Sequence, residues 1–376
     1  MKQLKLKRAI VCVTNDLYTD NRVDKVCHFL VEKGYQVTLV GRKRKSSLPL
    51  NSRTYATKRL PLWFDKGPAF YAEFSFRLFF YLLFKKHHLL VSNDLDTLLP
   101  CYTASQFKPS LELVYDSHEY FTEVPELINR PKVQKIWESI EIWIFPKLKK
   151  VYTVNASIAK MYGDKYKKKV EVVRNISPIW QPKEVPSKQD LGIPDGKFLV
   201  ILQGAGINID RGAEEAVQAL ALCEGAVLMI VGDGDVVPQL KQYVSDHALT
   251  EKVLFFGKRP YAEMMYYTHY ASVGLTLDKA TSVNYANSLP NKVFDYMHAT
   301  TPIICTPLVE VKAIVAHYEI GTVLSDLTPA NLAEAIQVYQ NNQNLLEMQQ
   351  ENCRKAAQIE NWEHEKKVLN RIYAGE

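Results

Sequence analysis

Lys292 and Asp295, three residues apart in SLPNKVFDYM (Ser288–Met297), carry the plainest chemistry in this chain. The segment has helical spacing, so the two side chains lie about one turn apart and can share a face. Asn287, Ser288, Leu289 and Asn291 form the loop that opens into this helix. The first N–H groups of a helix lack intrahelical partners and its dipole is positive there, so that end attracts phosphate. Lys292 adds a full positive charge, and Asp295 can accept hydrogen bonds from sugar hydroxyls. One element is thus expected to hold a diphosphate and a ribose, as a nucleotide-sugar site requires.

Upstream, GAGINIDRG (Gly204–Gly212) leaves a strand-like run and enters a helical one. Gly204 and Gly206 let the backbone approach a ligand, Asn208 lies in the same loop, and Arg211 can grip phosphate through two parallel hydrogen bonds. The pattern is not a full GxGxxG, and a glycine turn with an exposed arginine is the other reading. GDGD contributes Gly232 and Gly234 at another strand end, where glycines also serve ordinary packing. Lys258 and Arg259 follow KVLFFG, and backbone groups beside them are expected near a nucleotide base.

In the first half, VYDSHEYF (Val114–Phe121) sets His118 and Glu119 just past a strand's carboxyl end. An imidazole there can orient a sugar hydroxyl or exchange a proton near neutral pH; a structural histidine is the alternative. Asp20 and Arg22 follow the first strand and can face the same region, with helix capping by Asp20 as the competing role. His87-His88 lacks acidic or cysteine companions at ligand spacing, and no Asp-x-Asp pair sits in a suitable loop, so no metal is expected.

These residues need a scaffold that gathers strand ends. A chain of 376 residues suits two domains, and 47% apolar with 23% charged residues suits sizeable soluble cores. Short apolar runs alternate with helical stretches from Ala9–Val13 to Val170–Asn175, and again from Lys197–Gly204 onward. Ser177–Gly196, with four prolines, reads as a linker between the two series. That rhythm argues for two doubly wound parallel sheets, whose ligands bind at the carboxyl ends of the strands. The six cysteines are scattered without a CxxC pair and read as buried reduced thiols. No signal peptide or spanning segment is expected.

The net charge of +6 is modest, but lysine and arginine concentrate in the N-terminal half. Anionic headgroups, a phosphorylated acceptor, or simply solvated faces each fit that bias. Phe70–Phe84 carries an aromatic stripe at helical spacing, read as core packing or as an interfacial surface beside Lys85-Lys86. No basic segment interleaves stacking aromatics as a nucleic-acid module would, so nucleic acid is excluded as a partner.

Taken in order, TNDLYTDNRV, NDLDTLLP, DSHEYF, VVRN, VGDG, FGKRP, SLPNKVFDYM, TPIICT and WEHEKKVLNRIY resemble the retaining glycosyltransferases of family 4 over essentially the whole chain. The resemblance implies an α/β GT-B fold, two Rossmann-like doubly wound domains facing a cleft. Residues 1–180 form the acceptor side, with the terminal helix 360–376 returning to it, and 181–359 bind the donor. It implies transfer of a hexose, with retention, from a nucleotide diphosphate sugar of the UDP or GDP type to a glycan or lipid-linked acceptor. No further cofactor is implied. A cytoplasmic setting follows, at the inner face of an anionic membrane if the basic surface contacts one.

Many members carry two glutamates eight positions apart; here Asn287 and Asp295 occupy those places. The family's phosphate-binding Arg and Lys correspond to Gly206 and Arg211, so Arg211 and Lys292 would supply the positive charge. His118 matches the histidine near the anomeric carbon, and Glu119 and Asp20 join it as catalytic candidates. A nucleotide-sugar 2-epimerase and a non-catalytic sugar-nucleotide-binding subunit remain the other readings.

Overall fold

Parallel strands need a long crossover between neighbours, and most apolar runs of this chain are followed by a helical one that provides it. The computed structural model of the protein describes residues 7–18 and 20–374. Two compact units result: one runs up to Arg174 and takes in the chain again from Val368, and the other spans Asn175–Lys367.

The first unit holds β1 (Lys7–Cys12), β2 (Tyr35–Lys43), β3 (Ala56–Pro61), β4 (Leu89–Asn93), β5 (Glu112–Ser117), β6 (Lys150–Thr153) and β7 (Glu171–Val172). Its helices are α1 (Asn21–Glu32), α2 (Gly67–Phe84), α3 (Leu95–Gln106), α4 (Pro125–Ile128), α5 (Pro131–Ile144) and α6 (Ala156–Tyr166). All seven strands pair in parallel in the order β3-β2-β1-β4-β5-β6-β7. The order therefore reverses between β1 and β4, where loops from neighbouring strands leave in opposite directions and open a crevice. β4 is buried at every position, as a central strand covered on both faces must be.

The second unit holds β8 (Phe198–Gly204), β9 (Ala226–Gly232), β10 (Val253–Phe255), β11 (Val273–Thr276), β12 (Ile303–Cys305) and β13 (Gly321–Val323). Between them lie α7 (Ala213–Ala221), α8 (Val237–Asp246), α9 (Tyr261–Tyr270), α10 (Val283–Ala286), α11 (Lys292–His298) and α12 (Val309–Tyr318). Helices α13 (Pro329–Asn341), α14 (Gln343–Ile359) and α15 (Trp362–Ala374) complete the chain. The strands are again parallel, ordered β10-β9-β8-β11-β12-β13, with the reversal between β8 and β11. Both units are Rossmann-like α/β sheets.

Three local readings change. The stretch before Arg59 that sequence alone leaves irregular contains the edge strand β3, whose pattern is too exposed to show an apolar period. The expected strand Val170–Asn175 shrinks to the two residues of β7. The proline-rich stretch is partly core, since its Ile193 packs among the buried residues of the second unit, as does Ile176 just before it. All six cysteines are buried and free. In the first unit the end of α15 packs by Leu369, Ile372 and Tyr373, and the Tyr373 hydroxyl lies 3.1 Å from that of Tyr152.

Candidate active site

At the reversal point of the first unit, β1 and β4 end in polar residues and β5 adds its own. Asn93 closes β4 and donates from Nδ2 to the Cys12 carbonyl (2.9 Å), tying the two strand ends together. Asp94 follows with φ +59° and ψ 168°, a region almost reserved for glycine, so the turn into α3 stores strain at this point. Asp116, next to last in β5, is fully buried, and Arg22, 6% exposed, reaches it from α1 through two bonds of 2.7 and 3.1 Å. Arg22 also donates to the Val173 carbonyl (2.8 Å).

His118 sits on this foundation. Its Nδ1 lies 3.3 Å from Asp94 Oδ2 and its Nε2 3.3 Å from Asp116 Oδ2, while its backbone N–H donates to Asp94 Oδ1 (2.7 Å). Burial alone would lower its pKa, but the carboxylates of Asp94 and Asp116 outweigh that and raise it to about 9. His118 is therefore an imidazolium at neutral pH with both N–H groups directed at carboxylates. Of the two roles the sequence allows, orienting a hydroxyl suits this environment better than exchanging a proton near neutral pH.

Asp116 goes the other way: burial would raise it, yet Arg22 and His118 bring it down to about 2. Asp96, which accepts from the Thr14 hydroxyl (2.5 Å), is pushed up to about 7 by burial and by Glu119 against the pull of Thr14 and His118. Burial, Glu119 and Asp96 push Asp94 up as well, against His118. Asp20 is the α1 cap: its Oδ1 accepts from the Val23 N–H (3.1 Å) and its Oδ2 from Asn15 Nδ2 (2.7 Å). Its carboxylate starts the helix that delivers Arg22, the capping role the sequence offers beside a catalytic one.

At the reversal point of the second unit the gathering residue is one that the spacing argument missed. Asp278, fully buried just beyond β11, forms ion pairs with Arg211 Nη1 and, at 3.4 Å, with Lys292 Nζ. Both cations named from the sequence thus converge on one carboxylate. Burial opposes its charge, but Lys292 and Arg211 hold the Asp278 pKa below the ordinary value. The Arg211 guanidinium also lies 4.5 Å above the Tyr285 ring. Its Nε is buried without a hydrogen-bond partner among the described residues, leaving a donor for an anion.

Asp295 does not share partners with Lys292. It is 6% exposed, and its carboxylate accepts from the Tyr261 hydroxyl (2.9 Å) and from Gln203 Nε2 (3.3 Å). The helix that carries it, α11, has only seven residues. Asn287 donates to the Val283 carbonyl (2.8 Å) and Ser288 to that of Tyr285 (2.9 Å), so both shape the turn after α10. Leu289 packs against the core, and Asn291 stands at the start of α11.

The glycine loops lock onto each other. A Cβ on Gly232 would lie 1.9 Å from the Gly204 carbonyl oxygen, and one on Gly234 2.2 Å from that of Ile207. Asn208 Oδ1 accepts from the Asp235 N–H (3.0 Å). Gly232, Gly234 and Asn208 thus have structural duties, whereas a Cβ on Gly206 would meet nothing closer than 3.6 Å. Lys258 and Arg259 follow the edge strand β10, and Arg259 bonds the Phe256 carbonyl (3.0 Å) and pairs with Glu263 (3.9 Å). No described contact joins them to Arg211 or Lys292. Their neighbour Tyr261 reaches Asp295 instead. Among the described residues no group of three or more His, Cys, Asp or Glu side chains is arranged to hold a metal ion.

Residues 20–176 match Glycosyltransferase Family 4 and residues 186–356 match Glycosyl transferases group 1. Together the two matches take in most of the chain and support a family 4-like glycosyltransferase. No curated protein matches it. Among solved structures, sucrose-phosphate synthase from Thermosynechococcus elongatus is similar over 98% of both chains, with a TM-score of 0.79 and 16% identity. WaaG, a glycosyltransferase involved in lipopolysaccharide biosynthesis, is similar over 98% of this chain and 100% of its own (TM-score 0.72, 15% identity). HepE from Anabaena, in complex with UDP, is similar over 99% and 100% (TM-score 0.73, 14% identity). At these identities the likeness carries the fold.

Proposed function

We propose that the protein transfers a hexose, with retention, from a UDP- or GDP-type sugar to a glycan or lipid-linked acceptor. The observation that carries the reading is the convergence of Arg211 and Lys292 on buried Asp278 at the reversal point of the second sheet. Two cations preassembled at a strand-end crevice, one with an unused buried N–H, suit a leaving diphosphate whose charge grows during bond cleavage. Asp295, oriented by Tyr261 and Gln203, supplies the carboxylate for ribose hydroxyls. HepE is described with UDP and with UDP-glucose, which supports a donor of this chemistry.

In the first unit His118, held between Asp94 and Asp116, orients the partly exposed Asp94 carboxyl to accept from hydroxyls of the transferred sugar or the acceptor. The basic N-terminal half and its exposed aromatic residues support a place at an anionic membrane face. Calorimetry with UDP, GDP and ADP tests the donor half of the reading, and no binding of any of them would end it. NMR of the first-formed product tests retention: a product with the anomeric configuration of the donor is expected, and the opposite configuration would refute it.

A further inference from the structure

Helix α2 buries Phe70, Phe74, Leu78 and Leu82 against the sheet, yet the same helix leaves Phe76 and Phe84 65% and 77% exposed. A helix apolar on both sides has a second surface to cover. That surface borders a groove of about 790 Å³ between α2, α3 and α5. Such a volume lies within the roughly 300–1,000 Å³ of small-molecule sites. Its walls include Ala72, Ser75 and Phe79 from α2, Thr103 of α3 and Phe107 just after it, and Ile136 and Trp137 from α5. Phe107 and Ile136 are themselves 67% and 61% exposed.

The two ends of the groove differ. Phe79 meets Phe107, the residue after α3, with ring centroids 6.0 Å apart, which makes that end wholly apolar. The other end is set by residues that open the helices, Asp96 of α3 and Arg130 just before α5. Asp96 is also the carboxyl bonded by Thr14 beside the His118 cluster. The groove therefore begins at the first unit's candidate site and runs away from it. Lys85, Lys86, Lys132 and Lys135 stand exposed on the same helices or at their ends, a rim that complements anionic headgroups.

We infer that this groove takes the hydrocarbon tail of a lipid-linked acceptor, its phosphate at Arg130 and its acceptor hydroxyls at Asp96. The inference rests on the transferase reading for the headgroup's role, while the seating of the tail is tested apart from it. A single chain in an apolar trough gains burial for each methylene and leaves the polar end at the chemistry.

The test is a titration of the full chain with inorganic phosphate and with hexyl, octyl and decyl phosphate, each below its micelle threshold, with UDP in a parallel run. Affinity is expected to rise about fourfold per methylene until the groove is filled. Ser75→Trp, which fills the trough, flattens that rise and leaves UDP affinity unchanged; Ile136→Asp, at an exposed position, is the second variant if Ser75→Trp does not fold. A flat series with UDP binding intact overturns the inference and leaves the transferase reading standing. A rise unaffected by either variant puts the tail elsewhere and also overturns it. Equal adsorption of wild type and Ser75→Trp to phosphatidylglycerol vesicles, beside a flat series, reduces the face to a bilayer contact and rejects the groove. A full chain-length rise without UDP binding keeps the groove and ends the donor reading.

Discussion

Arg22 and Asp116 form the base on which His118 stands, and breaking that pair has a calculable cost. Arg22 is 6% exposed and Asp116 fully buried, joined through two bonds of 2.7 and 3.1 Å. Removing one partner leaves a desolvated charge behind, which costs about 3–5 kcal/mol. Arg22→Met or Asp116→Asn should each lower stability by that amount. For a unit of this size the melting temperature moves about 2–4 °C per kcal/mol, giving a drop of roughly 6–20 °C. The double variant Arg22→Met/Asp116→Leu removes both charges and should recover much of the loss.

Acid provides an independent check. Asp116 is held at about 2, below the ordinary 3.8. Because the folded value is the lower one, the stabilisation is complete above the ordinary carboxyl range and is lost as pH falls through about 2. The shift corresponds to about 2 kcal/mol. It is smaller than the deletion cost because a protonated Asp116 still occupies its place and accepts hydrogen bonds. Denaturant unfolding of the wild type and the three variants at pH 7, repeated between pH 5 and pH 2, measures both quantities. Single-variant losses below about 1 kcal/mol, the level of a surface pair, would refute the argument. So would a double variant whose loss equals the sum of the singles.

The His118 ring should titrate near pH 9 by NMR, and its stabilisation, complete below about 6.5, should fade as pH climbs through about 9. A midpoint at 6.5 would show that Asp94 and Asp116 do not act on it. His118→Ala should reduce turnover far more than donor affinity, and equal losses in both would mark the residue as scaffold. Arg211→Ala or Lys292→Ala should weaken UDP or GDP binding roughly 10- to 100-fold, the worth of a charged hydrogen bond, with unchanged calorimetric affinity counting against the site. Gly232→Ala forces a Cβ to 1.9 Å from the Gly204 carbonyl at φ +152° and should destabilise the second unit by about 3 kcal/mol or more, measured by denaturant unfolding; a loss under 1 kcal/mol would contradict the loop packing.

The sheets were legible because parallel buried strands are continuous apolar runs, such as AVLMIVG in β9, buried throughout. Arg211 and His118 stand out in the sequence as polar residues past such runs and Lys292 as the cation opening a helix, and the structure brings Arg211 and Lys292 together at Asp278. Asp278 was not. It follows β11 in a stretch without glycine or a recognisable turn, and its importance lies in two cations that arrive from positions 67 residues upstream and 14 downstream. No local period encodes that meeting. Asp20 was ambiguous for the opposite reason: a capping residue and a catalytic carboxylate look alike in sequence, and the 3.1 Å bond from the Val23 N–H shows the capping role. Edge strand β3 stayed hidden because four of its six residues are exposed or nearly so, which erases the alternation that marks a half-buried strand.

The charge distribution within each unit favours the proposed assignment of partners. Around His118 stand Asp94, Asp96, Asp116 and Glu119, with Arg22 and the imidazolium as their counterweight. Four carboxyls beside two cations cannot all stay ionised in a desolvated corner, so Asp96 moves toward neutral while Asp116, gripped by Arg22, does not. Such a site repels a diphosphate and suits neutral hydroxyls, with Asp96 as a carboxyl that titrates near neutral pH. The second unit reverses the ratio: Arg211 and Lys292 share one Asp278, and a buried guanidinium N–H is left over. An incoming diphosphate would meet two cations there and mostly carboxyls at the other site. That contrast supports the proposal that the nucleotide goes to the second sheet and the acceptor hydroxyl to the first.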